Sequence, residues 1–202
     1  YTSLVIGLLI ILIISVSTSI NIFILVAACC FLGYLYQGPP FRFGYQGLGE
    51  PLCWLAFGPF AYSAVLIALN PSNIYFEDIP WKVSLLLGSG PSLATTLVLF
   101  CSHFHQISED KKHGKNSPLV RLGAKKGSQF VPWIIFTIYI FQLFTIVYGF
   151  IPVFCILYLL SFPQAIRLIN LLKSSYAKPS AIKNCKFVAI KFQTLNGIGL
   201  IT

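Results

Sequence analysis

The first charged side chain in the 202-residue sequence is Arg42, so 41 residues pass without a charge. As one helix they would extend about 60 Å at 1.5 Å per residue, about twice the ~30 Å hydrocarbon core of a bilayer. A single span is therefore too short for them, and a helical hairpin is the simplest solution. The polar patch Ser15, Ser17, Thr18, Ser19 and Asn21 is the natural turn. The whole chain shows the same economy of charge, with 56% hydrophobic and 9% charged residues. Soluble domains carry roughly 25% charged residues, so a soluble core is excluded. The expected fold class is an all-α integral membrane helical bundle.

Hydropathy and Pro/Gly punctuation predict seven transmembrane segments, near 3–18, 20–36, 52–69, 82–105, 131–149, 151–172 and 183–201. The last is the most polar, because Lys186, Lys191 and "FQTLNG" enter it. Threading the seven puts thirteen of the fourteen basic residues on one face and leaves Lys82, with Glu77 and Asp78, on the other. That is the positive-inside pattern, so the basic face is expected to be cytoplasmic, or stromal in a plastid. The net charge of +9 then reports membrane orientation; no nucleic-acid partner is expected. Residues 1–202 read as one membrane domain without internal repeats. The sequence starts in apolar residues, contains no methionine and lacks the basic region of a signal peptide, so it is expected to be a fragment or a processed chain. The six cysteines show no paired spacing and read as small buried hydrophobes, not a disulfide or zinc framework.

Two polar stretches break the apolar background, both on the basic face. In "YQGPPFRFGYQGLGEP", 36–51, the density of Gly and Pro predicts a tightly shaped loop carrying Tyr36, Arg42, Tyr45 and Glu50. It reads either as an interfacial loop with aromatic anchors or as a substrate cradle, with Arg42 holding an anion and tyrosines stacking on a ring. The second, "CSHFHQISEDKKHGKNSPLVRLG", spans 101–123. If its helix continues, His103, Gln106 and Asp110 share one face at i, i+3 and i+7, and Ser102, His105 and Glu109 share the next stripe. Lys111, Lys112, Lys115, Arg121, Lys125 and Lys126 surround them. Carboxylates beside a ring of cations suit Mg²⁺ carrying a polyphosphate. The competing readings are a lipid-anchoring basic loop and a zinc site on Cys101, His103 and His105, which lacks a second ligand cluster.

Together the two stretches resemble the UbiA superfamily of intramembrane aromatic prenyltransferases, and more narrowly its 1,4-dihydroxy-2-naphthoate branch. Tyr36, Gly38, Pro40, Gly44, Tyr45, Gly47, Leu48, Gly49 and Glu50 match the first loop of that branch. Asp110, Gly114, Lys115, Val120, Arg121, Leu122 and Gly123 match its later motif. The "HFHQ" and "SPLVRLG" wording resembles the cyanobacterial and plastid phytyltransferases more than the bacterial menaquinone enzymes. Two departures matter. Gln106 stands where many relatives carry the first aspartate of the later motif, which leaves Glu109 or His105 to compensate. The superfamily also has nine helices, so the seven segments would be helices three to nine. An earlier Asp-rich motif would then lie outside this sequence, and the chain alone is expected to be inactive.

The resemblance implies Mg²⁺-dependent transfer of a phytyl or similar group from a prenyl diphosphate to dihydroxynaphthoate, in phylloquinone or menaquinone biosynthesis. It implies a plastid or cyanobacterial membrane. Asp110, Gln106 and Glu109 are the expected catalytic residues, with Asp110 and Glu109 as metal ligands. Lys115, Arg121, Arg42, Tyr36, Tyr45, Glu50, His103 and His105 are the expected substrate contacts; Arg121 fits a structural role equally well. The rivals are another superfamily enzyme, of the chlorophyll or tocopherol pathway, and a non-catalytic membrane protein or transporter.

Overall fold

The computed structural model describes residues 2–70 and 75–201, and every regular element among them is helical. The chain opens with the expected hairpin, α1 (Thr2–Ser17) and α2 (Ile20–Gln37). Its polar patch is used locally. The Ser15 and Thr18 hydroxyls donate to the carbonyls of Ile11 and Ile14 at 2.7 and 2.6 Å, and Ser17 donates to Ile13. Ser19 caps α2, accepting from the Asn21 amide at 3.3 Å.

Helices α3 (Gly49–Leu55) and α4 (Ala61–Leu69) join through a widened turn, Ala56–Phe60, into one span. Pro59 removes a backbone donor there, and Gly58 leaves helical geometry at φ −101°, ψ −105°. This kink lies against α5 (Trp81–Ser102). A methyl group on Gly58 would stand 2.6 Å from Ser92 Oγ, and one on Gly88 would stand 2.9 Å from the Gly58 carbonyl carbon. Only small residues allow two backbones to approach so closely.

The remaining helices are α6 (Ile107–Lys112), α7 (Pro118–Val147), α8 (Phe162–Ser175), α9 (Pro179–Ile182) and α10 (Cys185–Ile201), with a 3₁₀ stretch, Val153–Ser161, leading into α8. Among the described residues, five segments are long and apolar enough to cross a membrane: Ile20–Gln37, Gly49–Leu69, Trp81–His105, Pro118–Val147 and Val153–Ser175. α1 and α10, of 16 and 17 residues, are shorter. All seven expected segments are thus helical.

Two expectations need correction. The fifth segment starts at Pro118 instead of 131, and its backbone breaks at Gly123 (φ 78°, ψ 155°). The helix through Cys101 also does not continue to Asp110. It ends at Ser102, a 3₁₀ turn occupies His103–His105, and Gln106 (φ −102°, ψ 0°) separates that turn from α6. The chain bends where the i, i+3, i+7 stripe assumed a straight helix.

One core joins α5, α7, α8 and α10 through Leu97, Phe100, Val131, Ile138, Leu168 and Phe192. A smaller one joins α2 and α4 through Ile22, Leu25, Ala64 and Ile67. Large apolar side chains also face outward, among them Ile13, Val16, Val65, Trp133, Phe136 and Leu160. Soluble monomers rarely expose such a continuous apolar surface. It fits a multi-pass membrane protein, with lipid completing the burial.

Candidate functional site

Both polar stretches fold at helix ends, and they meet. The first leaves α2 at Gln37, makes a 3₁₀ turn over Phe43–Gln46 and enters α3 at Gly49. Its glycines are needed for space. A methyl group on Gly49 would lie 2.6 Å from the Tyr36 ring, and one on Gly44 would lie 2.8 Å from the Tyr36 carbonyl oxygen. Gly47 has φ 74°, and a methyl group there would meet the Asn116 carbonyl at 2.7 Å. Arg42 adopts the left-handed region at φ 45°, unusual for a non-glycine residue. Its exposed guanidinium stands 5.8 Å from the Tyr45 ring centroid.

The second stretch clasps this loop. The Asn116 amide donates to the Tyr45 carbonyl at 2.7 Å, and Arg121 Nη2 donates to the Gln46 carbonyl. Arg121 thus holds the first loop. Beneath the clasp runs a chain of ionisable side chains. Lys115 Nζ lies 3.4 Å from Asp110 Oδ1, His103 Nδ1 lies 3.4 Å from Asp110 Oδ2, and His103 Nε2 lies 3.6 Å from Glu50 Oε1. These four side chains are only 5–18% exposed. Burial weakens water's screening, so each charge depends on its neighbours. Their pairing is incomplete: both Glu50 carboxylate oxygens, Asp110 Oδ2 and His103 Nδ1 are buried without a hydrogen bond. Unmade hydrogen bonds of this kind mark a place for a ligand, an ion or water.

The remaining expected residues flank this chain. Gln106 and His105 are half-buried, and His105 Nδ1 lacks a hydrogen bond. Glu109 is exposed, although Asp110 beside it is buried. Successive helical positions point about 100° apart at 3.6 residues per turn. Among the described residues no group of three or more His, Cys, Asp and Glu side chains converges to hold a metal unaided, which leaves the Cys101–His103–His105 zinc reading without support. Asp110 still fits Mg²⁺, which takes one or two carboxylates and fills its remaining positions with phosphate oxygens and water.

Directly beside the polar chain opens an apolar cavity of about 870 Å³ between α2, α3, α4 and α5. Tyr36, Ser102 and Leu99 line its end near the site, and Val26, Ala64 and Val65 line the other. From Tyr36 to Val26 along α2 the depth is about 15 Å at 1.5 Å per residue. Sequence reasoning missed its polar wall, where Gln193 Nε2 donates to Thr95 Oγ1 at 2.7 Å. The signal was available in "FQTLNG", whose polarity was read as a weak span.

The profile of the UbiA prenyltransferase family matches residues 1–190. A 2-carboxy-1,4-naphthoquinone phytyltransferase from Synechocystis sp. is 37% identical over 174 residues, covering 86% of this chain and 54% of the relative. The chloroplastic 2-carboxy-1,4-naphthoquinone phytyltransferase of Arabidopsis thaliana is 37% identical over 186 residues, covering 91% and 48%. The chain therefore spans about half the length of the curated relatives it matches. No solved structure matches significantly. By the extent of the family match, this chain belongs to the UbiA prenyltransferase family.

Proposed function

We propose that this chain supplies the diphosphate-handling end and the tail cavity of a membrane prenyltransferase. The reaction is transfer of a phytyl or similar group from its diphosphate to 1,4-dihydroxy-2-naphthoate, in phylloquinone or menaquinone biosynthesis. The membrane is plastid or cyanobacterial, with the basic face stromal or cytoplasmic. One observation carries the reading: the under-bonded chain Glu50–His103–Asp110–Lys115 lies next to the Tyr36 and Ser102 end of the apolar cavity. A prenyl diphosphate has the same division, an anionic head on an apolar tail. The cavity volume also lies within the roughly 300–1,000 Å³ of small-molecule sites.

The roles follow from placement. Lys115 brings positive charge to the diphosphate, and exposed Arg42 adds a second cation from the first loop. Asp110 would hold Mg²⁺ through its carboxylate, with Gln106 and exposed Glu109 supporting its water shell. The metal, when bound, neutralises charge developing on the leaving diphosphate. Tyr36 and Tyr45 offer ring faces to the acceptor or to positive charge on the allylic carbon. As the allylic C–O bond breaks, the electron-rich naphthoate ring attacks that carbon; the carboxyl group at the attacked position leaves as CO₂. The apolar cavity keeps water from the cationic carbon. Arg121 and Asn116 keep the two loops together.

Asp110→Asn in the complete enzyme should lower prenyl transfer by about 10²-fold or more while folded protein is retained, the scale of losing one preorganised electrostatic group. Near-normal turnover would remove Asp110 from the metal site.

A further inference from the structure

A second cavity lies away from the site, between α8 and the start of α10, with a volume of about 590 Å³. Arg167, Asn170, Ser174 and Asn184 supply its polar lining, and Ile166 and Val188 part of its apolar lining. On α8, 167, 170 and 174 follow one stripe; Asn184 lies in the turn just before α10, and Val188 one turn into it. Lys191 stands one turn beyond Val188. Arg167 is seven residues from Ser174, about 10 Å along the helix. It lies inside Val153–Ser175, a segment apolar and long enough to cross a membrane. A guanidinium in that position needs a counter-charge.

The neighbouring sequence offers none. The five acidic residues are Glu50, Glu77, Asp78, Glu109 and Asp110, and none follows Asp110. Arg167, Lys173, Lys178, Lys183, Lys186 and Lys191 all follow it. Among the described residues no carboxylate forms an ion pair with Arg167. We propose that this groove binds the phosphate headgroup of an anionic membrane phospholipid. Arg167 presents a fork of N–H donors matched to phosphate oxygens. The Asn170 and Asn184 amides can add donors. The Ser174 hydroxyl already donates to the Asn170 and Leu171 carbonyls, at 2.9 and 3.3 Å. Ile166 and Phe187, 42% and 52% exposed, provide an apolar bed beside the groove for an acyl chain. The lysines beyond draw an anionic headgroup toward it. A lipid brings an acyl chain as well as a phosphate, which suits the exposed apolar side chains beside the polar lining better than an acidic peptide does.

Native mass spectrometry of the complete protein, purified in mild detergent with added phosphatidylglycerol or phosphatidylcholine, tests the assignment without turnover. Its failure would therefore leave the prenyl-transfer reading untouched. Phosphatidylglycerol should be retained in preference, and Arg167→Gln should weaken its retention about tenfold, the scale of hydrogen bonds to a charged group. Arg167→Lys, which keeps the charge and loses the fork, should fall between them. Equal retention of the two lipids would overturn the proposal. So would unchanged retention in Arg167→Gln, displacement of the lipid by inorganic phosphate alone, or an acidic protein occupying the groove in place of lipid. A shared thermal midpoint in phosphatidylcholine would show that the variants are folded.

Discussion

His103 joins two carboxylates that belong to different loops, and its ring geometry explains why the site needs both motifs. Its Nδ1 faces Asp110 and its Nε2 faces Glu50, so one imidazole stands between α6 and α3. His103→Ala should leave both carboxylates buried without that bridge. Steady-state kinetics of the complete enzyme should show a fall of about tenfold or more in kcat/KM, and wild-type values would make the bridge incidental. Arg42 is exposed, with its guanidinium beside the Tyr45 ring, so Arg42→Ala should leave the thermal midpoint unchanged and raise the KM of one substrate about tenfold. Unchanged KM values for both substrates would return this stretch to the interfacial-loop reading. At this scale the sequence singled out Glu50, His103 and Asp110 as candidates, and the fold brings the three together. It could not join Glu50 to His103, because no local spacing relates positions on different helices.

Helix ends were harder to read than helices. The hairpin turn was legible, since Ser15–Asn21 is the only polar patch in an uncharged run. The start of α7 was not, because Arg121, Lys125 and Lys126 depress hydropathy over 118–126 although the backbone there is helical. Ser117 followed by Pro118 was the missed signal, a capping residue before proline at the first helical position. The stop at Ser102 left no such mark, since nothing in "HFHQISED" forbids a helix; tertiary contacts decide it. The polar residues of α10 are explained by packing. Gln142 Nε2 donates to Asn196 Oδ1 at 2.5 Å, and Asn196 Nδ2 returns a bond to Gln142 Oε1 at 3.0 Å, tying α7 to α10. Both residues are buried. Gln142→Leu should therefore cost about 1–2 kcal/mol in detergent unfolding experiments by stranding Asn196. Gln142→Leu combined with Asn196→Leu should recover part of that loss. A double variant no better than the single would show that the pair is not reciprocal.

For the whole molecule, the polar site at one end of an apolar cavity separates an enzyme from the transporter alternative. The buried or partly buried polar groups Gln142, Asn196, Ser161 and Tyr139 bond to one another, so they form a structural lock more than an ion path. The cavity is expected to set the accepted tail. Val65 lines its far end and is 56% exposed, so a larger side chain there has room to be accommodated without breaking the core. Val65→Trp should reduce transfer from a long prenyl diphosphate several-fold more than from a short one; equal effects would place the tail elsewhere. The most direct measurement supplies labelled phytyl diphosphate and 1,4-dihydroxy-2-naphthoate to the complete protein in membranes, with Mg²⁺ and then with a chelator in excess. A prenylated naphthalene product and released CO₂ are expected with the metal, and neither with the chelator. Prenylation of a different acceptor with none on the naphthoate, or turnover indifferent to chelation, would contradict the proposed reaction.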